Sequence, residues 1–112
     1  MSRKASGFRA WLLQRVSAVY LALYLLYLVF HFSLNAPADY TAWHAWLAKP
    51  LTGIFMALFF LSLLMHAWIG VRDIVIDYVH PLAVRLLVLT GVALLLTGCG
   101  FWVLRTLVLV AL

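Results

Sequence analysis

Charged side chains are confined to the two ends of this chain and to two short intervals inside it. Between them lie three stretches without Asp, Glu, Lys or Arg: Val16 to Ala38, Pro50 to Val71 and Leu86 to Leu104, of 23, 22 and 19 residues. A helix rises 1.5 Å per residue, so about 20 apolar residues cross the hydrocarbon core of a bilayer. A transmembrane strand needs only about 9 to 11 residues and alternates in polarity. None of the three runs alternates. The pattern therefore predicts an all-α membrane protein with three transmembrane helices, roughly 14–36, 50–72 and 82–107, in a single domain spanning residues 1–112. The intervals carry turn chemistry. Asn35, Pro37 and Asp39 are expected to end the first helix, Pro50 to open the second and Pro81 the third, where a proline's missing N–H is tolerated.

Composition sharpens this picture. Hydrophobic residues make up 68% of the 112 positions and charged residues 10%, against about 25% charge in an ordinary soluble domain. With a mean hydropathy of +1.12, the chain is neither a water-soluble globule, nor disordered, nor a nucleic-acid binder, because so little polar surface cannot keep it in water. The net charge of +5 comes from 8 Lys/Arg against 3 Asp, with no Glu. Four of the cations (Arg3, Lys4, Arg9, Arg15) precede the first span, and Arg72 and Arg85 lie between the second and third. Only Lys49 and Arg105 fall on the other side. Six against two predicts a cytoplasmic N-terminus and a periplasmic C-terminus. Ala36-Pro37-Ala38 is not read as a signal-peptide cleavage site, since the preceding apolar run exceeds 7 to 15 residues and a proline sits inside the tripeptide. With no room for a transit sequence, a bacterial inner membrane is the expected location. The single Cys99 forms neither an internal disulfide nor a cysteine metal cage.

Polar residues inside the spans are the candidate chemistry. Ser17, Tyr20, Tyr24, Tyr27 and His31 recur at spacings of three and four, which places them on one face of the first helix. Such a stripe should meet protein rather than lipid, either as interhelical hydrogen bonds or as a ligand lining. Gly91 and Gly98, beside Thr90 and Thr97, offer a small-residue groove on the third helix. His66 lies in an uncharged span with Ser62 and Gly70 on its own face, so its imidazole needs a partner. It is a structural histidine, a proton relay or a metal or haem ligand; imidazole is a common axial ligand of haem iron. Counted from Val71, His66 is about 7 to 8 Å below its end of the helix, whereas His31 is about 22 Å below Val16. Separated by roughly 15 Å along the membrane normal, the two cannot ligate one iron, and a haem on His66 would need its second ligand from another polypeptide. Arg15 is placed either to pair with a propionate or to snorkel to headgroups. Arg72 to Pro81 reads as a short loop in which Tyr78, with its one O–H, serves as a ligand donor or as an interfacial anchor.

The run His66-Ala67-Trp68-Ile69-Gly70, followed after six residues by Asp77-Tyr78-Val79-His80-Pro81-Leu82-Ala83-Val84-Arg85-Leu86, resembles the hydrophobic membrane anchor (the D subunit) of bacterial succinate dehydrogenase, the succinate:quinone oxidoreductase of respiratory complex II. The resemblance extends back to Arg15-Val16-Ser17-Ala18 and covers about residues 11 to 105. It implies a subunit with no complete active site of its own, which holds a flavoprotein subunit, an iron-sulfur subunit and a second three-helix cytochrome b-type anchor. In that family the histidine matching His66 is one axial ligand of a haem b, and the other comes from the second anchor. The tyrosine matching Tyr78 hydrogen-bonds ubiquinone, Asp77 lies beside that site, and Arg15 matches an arginine near the propionates. The chain departs from the family at Arg72 and Asp73, where neutral residues are common, and at His80, where a lysine is common. The alternative is a small structural or transporter-type membrane subunit without haem. The lack of Glu and of charge within the spans weighs against coupled transport.

Overall fold

The computed structural model describes the backbone from Arg3 to Leu112 and the side chains from Gly7 onward. Met1, expected in the cytoplasm, and the side chains of Arg3 and Lys4 lie outside the described residues. Four helices follow in order: α1 (Arg3–Leu34), α2 (Tyr40–Ala48), α3 (Pro50–Tyr78) and α4 (Leu82–Ala111). Three of them, α1 from Gly7, α3 and α4, are long and apolar enough to cross a membrane. The chain is an all-helical, multi-pass membrane protein.

Local chemistry sets the breaks. Asn35 donates its N–H to the carbonyl of His31, and Pro37 then stops α1 from continuing. Asp39 does not close α1 as expected. It is the N-cap of the additional short helix α2, in an extended conformation with Oδ1 accepting from the Ala42 N–H at 2.8 Å. Lys49 is extended ahead of Pro50, as a residue before proline must be, and α3 starts there.

The helices exceed the expected lengths at their charged ends. The segment from Arg72 onward was read as loop, yet α3 continues to Tyr78, so the connection to α4 is only Val79, His80 and Pro81. The reason is physical. Arg72, Asp73 and Asp77 mark where the chain leaves hydrocarbon, but none of them breaks a helix; Pro81 does. Arg85, in the first turn of α4, secures the turn by donating from Nε to the Val79 carbonyl at 3.0 Å and from Nη2 to the Ile76 carbonyl at 3.1 Å. These are carbonyls that the end of α3 leaves open, and a cation there complements the negative end of the helix dipole.

The central helix is α3. It packs against α1 on one side and α4 on the other, while among the described residues no Cα of α1 comes within 8 Å of one in α4. The helix α2 lies against α3 and α4 at the end of the molecule opposite the α3–α4 turn. The result is an open row, 51 × 25 × 25 Å, rather than a closed bundle. Buried side chains are few: Ser17 and Tyr24 on α1, Leu47 on α2, and Ile69 and Val75 on α3. Most large apolar side chains face outward, as suits a chain whose solvent is lipid.

Candidate functional site

The seam between α1 and α3 gathers the polar stripe read from the sequence. Ser17 and Tyr24 are both only 7% exposed. Tyr20 donates its hydroxyl to the Phe55 carbonyl at 2.7 Å. Tyr24 is enclosed by rings, with Phe59 at 5.3 Å and Phe55 at 6.4 Å between centroids. Tyr27 is different: it is half exposed and stacks toward His31. Most of the stripe therefore meets protein, because a hydroxyl facing lipid finds no partner.

His66 stands on the same seam, half-buried. Its partner is not on its own helix: Nδ1 lies 3.2 Å from Oγ of Ser17 across the seam. Ser17 Oγ also donates to the Gln14 carbonyl one turn earlier at 3.1 Å. Gly70 is one turn beyond His66, and a Cβ there would be in ordinary van der Waals contact with Gln14 Nε2, at 3.5 Å. His66 and Gln14 also line a cleft of about 520 Å³, together with Trp11, Arg15, Arg72 and Asp73. One atom in this group lacks a partner. Gln14 Oε1 is buried, and no hydrogen bond from the described residues reaches it.

The cleft is cationic at its mouth. The guanidinium of Arg15 lies 5.7 Å from the centroid of the Trp11 ring, a cation–π arrangement that leaves its N–H groups available. Arg72 contacts Asp73 at 3.1 Å. Because both are substantially exposed, that pair adds at most about 1 kcal/mol to stability. An imidazole and guanidinium groups in one cleft can ligate a metal and pair with a carboxylate. Among the described residues no three His, Cys, Asp or Glu cluster to hold a metal.

Distances separate the remaining candidates. His31 stacks on Trp46 at 5.0 Å near the opposite end of the molecule. It is fourteen residues beyond Ser17, the residue level with His66, or about 21 Å along the helix, which is farther than the span lengths alone imply. Asp77 and Tyr78 do not belong to the cleft. They are in the last turn of α3, both exposed, Tyr78 by 77%. Twelve helical residues separate Tyr78 from His66, about 18 Å along the axis. Tyr78 is thus helical rather than in a loop, and it shares only an end of the molecule with Arg15.

Four contributors escape a sequence reading. Ser17 is visible as the head of the polar stripe, but its pairing with His66 across 49 positions is not. Gln14 and Trp11 carry no signal until the cleft places them. Arg85 reads as a topology charge and proves to be a helix clamp.

The profile of the succinate dehydrogenase/fumarate reductase transmembrane subunits matches residues 1–99. The succinate dehydrogenase hydrophobic membrane anchor subunit of Coxiella burnetii (strain RSA 493 / Nine Mile phase I) is 35% identical over 96 residues, covering 86% of this chain and 84% of that protein.

Proposed function

Because the chain belongs to the succinate dehydrogenase/fumarate reductase transmembrane subunit family, we propose that it anchors flavoprotein and iron-sulfur subunits to a bacterial inner membrane, contributes one axial ligand to a haem b shared with a second three-helix anchor, and helps form the site where ubiquinone is reduced. The observation that carries this reading is the cleft that places His66 below Arg15 between α1 and α3. The alternative of a structural or transporter subunit without haem has no such support from the geometry.

The donor set fits haem. His66 lines the cleft with an imidazole, and Arg15, in the same lining, can pair bidentately with a propionate. Bound there, haem supplies a one-electron centre. His66 would hold the iron through one imidazole nitrogen, and a second histidine ligand would come from the second anchor, because no other histidine of this chain is near enough. Tyr78 donates its O–H to a quinone carbonyl at the end of α3. Asp77 is the adjoining carboxylate. The N-terminus and the α3–α4 turn then lie in the cytoplasm, where Arg9, Arg15, Arg72 and Arg85 collect at one end of the molecule, and Leu112 lies in the periplasm.

The test is the absorption spectrum of the complex purified from native membranes. A low-spin b-type band is expected, together with copurifying flavoprotein and iron-sulfur subunits. His66→Leu should abolish that band or convert it to a high-spin form. An unchanged low-spin spectrum in an assembled His66→Leu complex removes His66 as ligand, and absence of the two soluble subunits removes the anchor role.

A further inference from the structure

Ser17 has one hydroxyl proton and two polar neighbours. The Gln14 carbonyl at 3.1 Å can only accept, so the proton goes there. Toward His66 Nδ1, at 3.2 Å, the same oxygen is then an acceptor. Both contacts are hydrogen bonds only if Nδ1 carries the imidazole proton, and in neutral imidazole the other nitrogen, Nε2, then keeps its lone pair. Ser17 has little freedom to rearrange. It is 7% exposed and held against its own helix one turn back.

We propose that Ser17 is a positioning residue for His66: its oxygen accepts from Nδ1–H, which fixes the tautomer and the ring orientation so that Nε2 is the ligating atom. The proposal rests on the haem reading above. A partner on the distal ring nitrogen of a ligating histidine raises the basicity of the ligand, and such partners typically change metal affinity by roughly 10- to 100-fold. A more basic imidazole favours ferric over ferrous iron. Loss of the acceptor should therefore raise the haem reduction potential and weaken haem retention.

The experiment uses the complete complex in native membranes with Ser17→Ala, Ser17→Thr and Ser17→Cys, beside His66→Leu. Redox titration of the low-spin band gives the potential, and the rate of haem transfer to apomyoglobin gives retention. Ser17→Ala should raise the potential and speed haem loss by roughly 10- to 100-fold. Ser17→Thr, which keeps the hydroxyl, should restore both values. Ser17→Cys nearly conserves volume while supplying only a weak acceptor, so it should resemble Ser17→Ala and stands in for that variant if the alanine complex does not assemble. Equal values for Ser17→Thr and Ser17→Cys would make the effect one of packing and overturn the proposal, as would wild-type potential and retention in Ser17→Ala. Those results leave the haem assignment intact. A persistent low-spin band in His66→Leu, by contrast, overturns both.

Discussion

The two flanks of α3 are held in different ways. On the α1 side lie Tyr24 inside a cage of rings, Ser17 bonded to His66, and Tyr20 bonded to a backbone carbonyl. On the α4 side no residue of α4 is buried, and Leu87, Leu94 and Trp102 are each about 70% exposed or more. In water such a helix would detach. In a bilayer, exchanging lipid tails for leucines changes little, so association depends on close packing and hydrogen bonds. The α4 flank has one tight point, where a Cβ on Gly100 would come within 3.2 Å of Leu64 Cδ1. Gly91 and Gly98, expected to form the small-residue groove, have nothing within 4 Å of their ideal Cβ positions. Their groove is open within this chain.

The sharpest way to break this contrast is Tyr24→Ala. The lost ring leaves a void on the order of 100 Å³, which at about 24 cal/mol per Å³ costs roughly 2 to 3 kcal/mol. Leu95→Ala, on the lipid-facing side of α4, should leave the thermal midpoint of the purified complex almost unchanged. Equal losses for the two variants would erase the distinction between the flanks.

Next in size is the joint that links them. Arg85→Gln removes both hydrogen bonds to the end of α3. The expected cost is about 1.5 kcal/mol, the low end for bonds involving a charged group, because one of the pair is exposed. Faster hydrogen exchange over Ile76 to Val79 would register it; unchanged exchange would mean that Pro81 alone holds the turn.

Tyr78→Phe asks whether exposure excludes function. The ring stays and only the O–H is lost, so an interfacial anchor would survive the change. A quinone hydrogen bond worth roughly 0.5 to 1.5 kcal/mol would instead appear as a few-fold to tenfold fall in quinone reduction, with dye-linked succinate oxidation and haem content retained. The smallest contrast lies within α4. Gly91→Ala should be neutral or slightly stabilising, since helix propensity favours alanine by about 1 kcal/mol, while Gly100→Ala should forfeit part of that gain against Leu64. If Gly91→Ala weakens the assembled complex, another chain occupies the groove in the assembly.

Much of the site was legible because lipid is an unforgiving solvent for polar groups. A histidine, a serine and tyrosines at helical spacing inside uncharged runs had to face protein, and Ser17, Tyr20, Tyr24 and His66 do. The helix ends were less legible. Charge reports the edge of hydrocarbon, whereas a helix stops for lack of backbone partners, so Arg72 to Tyr78 reads as loop and folds as the last two turns of α3. The short helix α2 was missed because its nine residues are too few for a span, and its N-cap Asp39 looked like a stop for α1.

By itself the sequence determined the solvent, the three apolar spans and the family, since each depends on residue identity along one dimension. Only the tertiary structure decided that α3 lies between α1 and α4, that His66 meets Ser17 rather than Ser62, that Arg85 clamps the turn, and that Tyr78 stands about 18 Å along the helix from His66. These are properties of helix register and rotation. Periodicity fixes which residues share a face, but it leaves free which face meets which neighbour and at what height, and a hydrogen bond reaching across 49 positions depends on both.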